Sequence, residues 1–226
     1  YKDSSSKYLT TAVEGSLRRL RLDRIPFYLI HWPDANIPIE ETLDTLQSLQ
    51  RSGKIGEYGL ANFNRYDIDK IPKLNKSGIG IQQVSYSLAN REKEEELKIG
   101  RENNFINTVY GPLSQGLLTG KYNMESKFGI NDRRHRLKQF EREKWNKNSV
   151  LISELKKISE NINCQISDIS LSWLFKKKYI DIVVCGAKSP EQVIQNVNSE
   201  KIKLSNEIEI QLDRISVNYG GVEGNA

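Results

Sequence analysis

The chain has 226 residues, 37% of them hydrophobic, and a formal net charge of +5 from 34 basic and 29 acidic residues. This length supports one substantial core, and we predict a single domain over residues 1–226. The strongest basic clusters, at residues 133–136 and 176–178, are too short to form the basic stripe interleaved with aromatics that nucleic-acid binding requires, so no nucleic-acid partner is expected.

Cysteine content and hydropathy indicate the cellular environment in which the protein is expected. Cys164 and Cys185 are too few and too isolated for a disulfide framework or a zinc site, so we expect a reducing environment and no metal. No apolar stretch approaches the roughly 20 residues of a membrane span, and the polar start of the chain shows no signal peptide. The sequence therefore predicts a soluble, cytoplasmic protein with no membrane partner.

The first elements alternate between helix and strand. Ser4, Ser5 and Ser6 can cap an opening helix, whose apolar face comprises Leu9, Val13, Leu17 and Leu20. Residues 27–30 are too short and too uniformly apolar for a helix, and we interpret them as a fully buried parallel strand. A second helix begins near Pro38, ends before Gly53, and buries Ile39, Leu43, Leu46 and Leu49.

The same alternation continues to the end of the chain. Strands are predicted at residues 55–60, 79–86, 105–110 and 180–185. Asn62 or Asn64 caps a short helix that ends at Ile71. The remaining helices are predicted at residues 91–103, around Val150, Leu151, Leu155 and Ile158, and at residues 169–175, 190–198 and 206–216. Residues 111–147 lose this pattern and are predicted to form a long loop, of the kind that often closes over a barrel mouth.

This rhythm is typical of an α/β fold of the (β/α)8 barrel type, which places functional residues at the carboxyl ends of its strands. An eight-unit barrel typically needs about 250 residues, whereas only five βα units are evident here. We therefore expect a barrel that is incomplete at its amino terminus. Strands missing from a barrel leave exposed edges, and either a second copy, in a homo-oligomer, or another partner would cover them.

Polar side chains stand at several predicted strand ends. His31 ends the first strand, where its imidazole would face the barrel mouth or else satisfy a local backbone group. The amides of Asn62 and Gln83 offer a donor and an acceptor to a ligand, although a helix cap and a backbone contact explain them equally well. Tyr110 beside Gly111 could stack on a planar cofactor or pack at the barrel rim.

The segment from Cys185 to Gln192 runs from a strand end into a helix. Ser189 is predicted as the cap, Pro190 as the first helical residue and Gln192 as the partner that completes a capping box. A helix amino terminus beside a cation favours a phosphate. Capping alone explains residues 189–192, so the functional content of the segment depends on Gly186 and Lys188.

These motifs occur together and in a fixed order: LIHWPD, GKIGEYGLANF, QVSYSLANRE, YGPLSQGLLTGKY, SLSWLF and GAKSPEQVIQN. From about Ser16 to Asn198 the chain resembles the aldo-keto reductase family. The resemblance implies an NADPH-dependent reductase of aldehydes and ketones, including sugars, built on a TIM barrel. In that family a tyrosine donates a proton to the substrate carbonyl, a lysine and an aspartate lower the pKa of that tyrosine, and a histidine orients the substrate.

The family's roles carry over to matching positions. His31 matches the orienting histidine, Asn62 and Gln83 match the residues that hold the nicotinamide carboxamide, and Tyr110 matches the stacking aromatic. The resemblance assigns the pyrophosphate loop to Gly111, Leu113 and Lys121. It assigns the pocket for adenosine and its 2′-phosphate to Gly186, Lys188, Gln192 and Asn196. Arg133 or Arg134 corresponds to a lid arginine.

The departures from the family pattern leave two functions open. Ala61 and Gly111 replace usual serines, and no segment carries the family's Asp, Tyr and Lys; Lys7 and Tyr8 lie in the opening helix and are not substitutes. One hypothesis is a reductase of small-molecule carbonyl substrates whose first βα units are not in this sequence. The other is a non-catalytic NADP(H)-binding or scaffolding protein. A phosphosugar-binding barrel of another family would require the motif order to be a coincidence.

Overall fold

A computed structural model describes residues 2–71 and 79–219. The chain divides into two compact units. Unit 1 comprises Tyr1–Val84 and Glu95–Thr108, and unit 2 comprises Ser85–Glu94 and Val109–Ala226. The glycine-rich tail lies outside the described residues. Among the residues described, no helix combines the length and the apolar character needed to cross a membrane.

Unit 1 alternates helices and strands as the sequence predicts. Its helices are α1 (Ser6–Leu20), α2 (Ile39–Arg51), α3 (Arg65–Lys70) and most of α4 (Glu94–Glu102), and its strands are β1 (Ile25–Ile30), β2 (Ile55–Ala61) and most of β3 (Ile79–Ser85) and β4 (Ile106–Tyr110). β1 pairs in parallel with β2, from Ile25 opposite Ile55 to Ile30 opposite Leu60, and β2 pairs in parallel with β3. Parallel pairing places the carboxyl ends of these strands at one edge of the sheet.

The core of unit 1 is built by the predicted apolar faces. Leu9, Val13 and Leu17 of α1 are buried against Leu43 and Leu46 of α2 and against β1 and β2 in one hydrophobic cluster. Ser5 caps α1 and accepts a hydrogen bond from the Tyr8 backbone N–H. The helices therefore form because their apolar stripes cover the sheet.

Two burial predictions are wrong at the margins of that core. Leu20 is 56% exposed because it is the last residue of α1, and the chain turns away from the core at left-handed Arg21. β1 is not fully buried: Phe27 is 55% exposed, and Tyr28 and Leu29 are half-buried. β1 is the first strand in the order β1-β2-β3-β4-β5, so within the described residues only one of its sides is paired.

Unit 2 contains the end of β4 and the remaining helices, which are α5 (Arg142–Asn161), α6 (Ile166–Lys176), α7 (Pro190–Asn198) and α8 (Asn206–Tyr219), together with β5 (Ile182–Val184). Short 3₁₀ segments occur at Ser114–Thr119, Arg133–Arg136, Lys138–Phe140 and Ser199–Lys201. The predicted long loop therefore contains three short helical turns, and α5 begins eight residues before Val150. The last predicted strand is shorter than expected, at three residues.

A charged cluster ties α6 to α8 inside unit 2. The Asp213 carboxylate accepts hydrogen bonds from Lys177 Nζ at 2.8 Å, from Trp173 Nε1 at 3.0 Å and from Arg91 at 3.2 Å. Trp173 is fully buried and stacks on Tyr86 with ring centroids 5.6 Å apart. The Lys177 side chain is only 9% exposed, so its charge depends on Asp213 and on a longer pair with Glu209.

We expect Asp213→Ala to lower the free energy of unfolding by about 2 kcal/mol or more, because it leaves the Lys177 charge buried with a weaker partner. Glu154→Ala is the matched control, since it removes an exposed pair with Lys157 and should cost less than about 1 kcal/mol. Urea denaturation of the three proteins measures both values. Equal losses in the two variants would contradict the structural role of Asp213.

Candidate functional site

Three predicted residues meet at the carboxyl ends of the strands of unit 1. Asn62 follows β2 directly and adopts a left-handed backbone, with φ of 64°. Its side-chain amide donates to the backbone carbonyl of His31 at 2.9 Å, and its backbone N–H donates to the carbonyl of Gln83 at 2.9 Å. One asparagine thus joins the ends of β1 and β2 to β3.

The cap of α3 is Asn64 and not Asn62. The Asn64 side chain accepts a hydrogen bond from the Asp67 backbone N–H at 3.0 Å. This geometry settles the choice between the two asparagines that the sequence leaves open, and it frees Asn62 from the capping role. Asn62 is instead held at the strand end, half-buried, beside His31.

His31 and Gln83 present polar groups at this edge. His31 is exposed, and its ring lies 5.9 Å from the ring of Trp32, centroid to centroid. Gln83 is half-buried, and its side-chain amide forms no hydrogen bond with the residues that the structure describes. An imidazole and an amide in such positions can both donate and accept hydrogen bonds, as a carbonyl substrate or a carboxamide requires.

Unit 2 carries a second set of predicted residues at the end of β4. Tyr110 is half-buried, and its backbone carbonyl accepts from the Tyr86 N–H. Burial raises the pKa of the Tyr110 phenol, and the charge of Arg133 partly opposes that shift. Gly111 follows with φ of 65°, a left-handed conformation that glycine adopts at little cost.

Residues 111–121, the β4 loop, contain a run of left-handed backbone that sequence reasoning missed. Ser114, Gln115 and Gly116 have φ of 44°, 52° and 96°. For residues other than glycine this conformation costs roughly 1–2 kcal/mol each. The Leu113 carbonyl accepts hydrogen bonds from the backbone N–H groups of Gly116 at 2.9 Å and Leu118 at 3.2 Å. Neither residue 114 nor residue 115 is a glycine, so the sequence gives no signal for this turn.

The long loop contains a compact aromatic cluster that the sequence does not predict either. Tyr122, Phe128 and Phe140 contact one another edge to face, with centroids 4.8–5.6 Å apart. The Arg134 guanidinium lies over Tyr122 and Phe128 and forms an ion pair with Asp132. Arg134 is therefore committed to this cluster, whereas Arg133 is exposed. The three aromatics in an otherwise polar stretch were the available signal.

The start of α7 differs in detail from the predicted capping box. Ser189 caps the helix and accepts from the Gln192 N–H, as expected. The Gln192 side chain, however, accepts from the backbone N–H of Lys188 at 2.7 Å, one residue before the cap. The reciprocal bond of a capping box is thus replaced by one that positions the backbone of Lys188.

Gly186 and Lys188 leave room for a ligand. A Cβ atom placed on Gly186 would meet nothing within 4 Å, so packing within the chain does not require glycine there. Lys188 is exposed, and its charge contributes to lowering the pKa of Asp132. Asn196 is half-buried and lines a cavity of about 270 Å³ together with Cys185 and Ala187. Lys121 is exposed, with its Nζ 5.1 Å from the centre of the Tyr122 ring.

The cavities found in unit 1 and unit 2 only partly coincide with the predicted residues. One cavity of about 540 Å³ lies in unit 1 between the segment after β1 and α3, and is lined by Asp34, Asn64 and Lys70 among others. His31, Asn62 and Gln83 do not line it. These three residues are instead joined at the strand ends by the hydrogen bonds of Asn62.

The Asp132–Arg134 pair should make the loop sensitive to acid. Hydrogen bonds from the side chain and backbone of Arg134 lower the pKa of Asp132 to about 2, from an ordinary value of 3.8. Because the pKa of Asp132 is lower in the folded loop than in the unfolded chain, the ionised carboxylate stabilises the folded loop at pH values above 3.8. This stabilisation is lost as the pH falls from 3.8 to about 2. We expect the hydrogen-exchange protection of amides 132–137 to decline over that range. In Asp132→Asn the protection should be lower but independent of pH there; an unchanged decline would contradict the assignment.

Comparisons with known proteins agree with the fold. The chain is 34% identical over 210 residues to the NADH-specific methylglyoxal reductase of Escherichia coli. The aligned region covers 91% of this chain and 63% of that protein. It is 30% identical over 202 residues to Schizosaccharomyces pombe aldo-keto reductase yakc, a protein named with NADP(+), covering 88% and 59%. The chain thus spans about 60% of the length of these curated relatives.

A solved structure supports the same fold. The glycerol dehydrogenase AKR11B4 from Gluconobacter oxydans superposes with a TM-score of 0.85 at 28% identity, covering all of this chain and 69% of that one. The parallel strands and intervening helices are therefore those of a (β/α)8-type fold. The model of the aldo/keto reductase family matches residues 2–216, and the chain belongs to that family.

Proposed function

We propose that the protein is a nicotinamide-dependent oxidoreductase that reduces the carbonyl group of a small aldehyde or ketone, including sugars, with NADPH as the cofactor. The observation that carries the proposal is the junction at the strand ends of unit 1, where Asn62 binds the backbone carbonyls of His31 and Gln83. Family membership supports the reaction class.

The residues of unit 1 suit the reacting end of such a complex. When bound, the nicotinamide supplies the hydride. The Gln83 amide and the half-buried Asn62 offer donors and acceptors that match a carboxamide. His31, exposed at the end of β1, can donate a hydrogen bond to a carbonyl oxygen and hold it in one orientation.

The residues of unit 2 suit the remainder of the cofactor. The half-buried Tyr110 ring provides a face for stacking, and the left-handed turn at Gly111 opens the backbone of the β4 loop. Open space at Gly186 and the exposed cation of Lys188 fit an adenosine ribose with its phosphate. Arg133 is available as the lid arginine because Arg134 is held by Asp132.

The choice of NADPH over NADH depends mainly on Lys188. Its ammonium would pair with the 2′-phosphate, which NADH lacks. Asp132 competes for that charge, since Lys188 helps to lower the Asp132 pKa. The curated relatives include one named as NADH-specific and one named with NADP(+), so the preference for NADPH rests on Lys188.

A second candidate is an NADP(H)-binding or scaffolding protein without turnover. Lys7 and Tyr8 are exposed on α1 and are not substitutes for the family's proton-donating residues. Without general acid assistance, carbonyl reduction typically loses 10²–10⁴-fold in rate. Oxidation of NADPH with small aldehydes, compared with NADPH binding alone, separates the two candidates.

We expect Lys188→Glu to weaken NADPH binding at least about tenfold more than NADH binding, because it replaces a phosphate partner by a repelling charge. Lys178→Glu, at another exposed lysine of unit 2, is the control for the change in net charge and should affect both cofactors slightly and equally. Titration of both cofactors by fluorescence measures the dissociation constants. Equal effects of Lys188→Glu on NADPH and NADH would exclude the 2′-phosphate assignment.

For the substrate, we expect His31→Ala to lower kcat about 100-fold while leaving the affinity for NADPH unchanged, since it removes one donor to the carbonyl oxygen. Thermal unfolding should be unaffected, because the His31 side chain is exposed. Steady-state kinetics with a small aldehyde and a melting curve test this. Full turnover in the variant would show that His31 does not orient the substrate, and loss of the fold would favour a structural role for His31.

A further inference from the structure

Gln139 lies outside every motif of the family, yet it contacts the β4 loop directly. Its side chain is 1% exposed. The Nε2 group donates to the backbone carbonyl of Ser114 at 3.1 Å and to the side-chain oxygen of Gln115. These are the two non-glycine residues of the loop that have left-handed backbone.

Other contacts fix Gln139 and the loop in place. The Gln139 backbone carbonyl accepts from Asn148 Nδ2 at 2.8 Å, which anchors it to α5. Ser87 and Ser114 share a hydrogen bond between their hydroxyls at 2.9 Å, and both side chains are buried. The loop is therefore clamped from two sides, by a serine before α4 and by a glutamine before α5.

The clamp carries a local cost. Both hydrogens of the Gln139 amide are used, but its Oε1 atom is buried and has no partner among the described residues. A buried unpaired acceptor and strained backbone are each unfavourable. A purely structural turn is more simply built from glycine, which adopts such φ values at little cost. The arrangement therefore indicates that the shape of the loop matters for its task.

We propose that Gln139 is a positioning residue that holds Ser114 and Gln115 in their left-handed conformation and so sets the β4 loop for the pyrophosphate of the cofactor. The inference rests on the proposed function, because that function assigns Gly111, Leu113 and Lys121 to the pyrophosphate. The bend at 114–116 fixes the Leu113 carbonyl through its bonds from Gly116 and Leu118, and with it the backbone that would face the phosphates.

The test compares two ligands with the Gln139→Leu variant. NADPH contains the whole pyrophosphate. Adenosine 2′,5′-bisphosphate keeps the adenosine, its 2′-phosphate and the first phosphate of the bridge, but it lacks the second phosphate and the nicotinamide half. We expect Gln139→Leu to weaken NADPH binding about tenfold, equivalent to about 1.4 kcal/mol, and to leave bisphosphate binding within about twofold. Equal weakening of both ligands, or unchanged NADPH binding, would overturn the proposal.

Gln82 offers a matched control. It is also 1% exposed, and its Nε2 donates to one backbone carbonyl, of Glu96, and to one amide oxygen, of Asn107, while its Oε1 is likewise unpartnered. Gln82→Leu should lower the melting temperature about as much as Gln139→Leu, but it should leave bisphosphate and NADPH binding unchanged. An equal loss of NADPH binding in both variants would show that Gln139 acts only on stability.

A rescue experiment tests the mechanism. In the double variant Gln139→Leu with Gln115→Gly, glycine adopts the left-handed conformation without help. NADPH binding should return to within about threefold of the original protein, and Gln115→Gly alone should bind NADPH normally. No recovery would overturn the positioning role. If Gln139→Leu fails to fold, Gln139→Met, which keeps the unbranched shape and approximate size but lacks both donors, replaces it.

The outcome also separates this inference from the proposed function. If the unaltered chain binds neither NADPH nor the bisphosphate, the proposed function fails, and the positioning role fails with it. If the unaltered chain binds both ligands and Gln139→Leu binds them equally well, only the positioning role fails.

Discussion

Left-handed backbone at the carboxyl ends of strands is the constraint on which the candidate site depends. At the end of β2 it falls on Asn62 and at the end of β4 on Gly111. A parallel strand that simply continued would carry its polar residues past the sheet edge. The left-handed turn at Asn62 instead brings its side-chain amide onto the His31 carbonyl. The left-handed turn at Gly111 starts the β4 loop immediately after Tyr110. Each turn fixes the backbone at the end of its own strand.

The cations of unit 2 divide by burial into two kinds. Lys177 and Arg91 bind Asp213 around the buried Trp173 ring, and Arg134 is held by Asp132 over aromatic rings. Such charges are compensated within the protein, and a ligand would have to break those contacts to use them. Arg133 and Lys188 are exposed and so remain accessible to an anionic ligand. A cation's neighbours thus decide whether it stabilises the fold or serves binding.

Much of the fold was predictable because periodicity reports which face of an element is covered. The apolar face of α2 and the bounds of α7 follow from local spacing and capping alone. The failures are at places where burial depends on distant neighbours. Phe27 has the composition of a buried strand but lies on a strand paired on one side among the described residues. No local pattern shows which strand has which neighbours.

The sequence by itself determined the family and the βα order, because the spacing of motifs along the chain is fixed by covalent connectivity and needs no folded contacts. Only the tertiary structure distinguished the roles of nearby residues of the same type. Asn64 caps α3 while Asn62 joins the strand ends, and Arg134 is paired while Arg133 is exposed. It alone revealed that Gln139 holds Ser114, 25 residues away. Such roles depend on which atoms come within hydrogen-bonding distance after folding, and that distance is not encoded in separation along the chain.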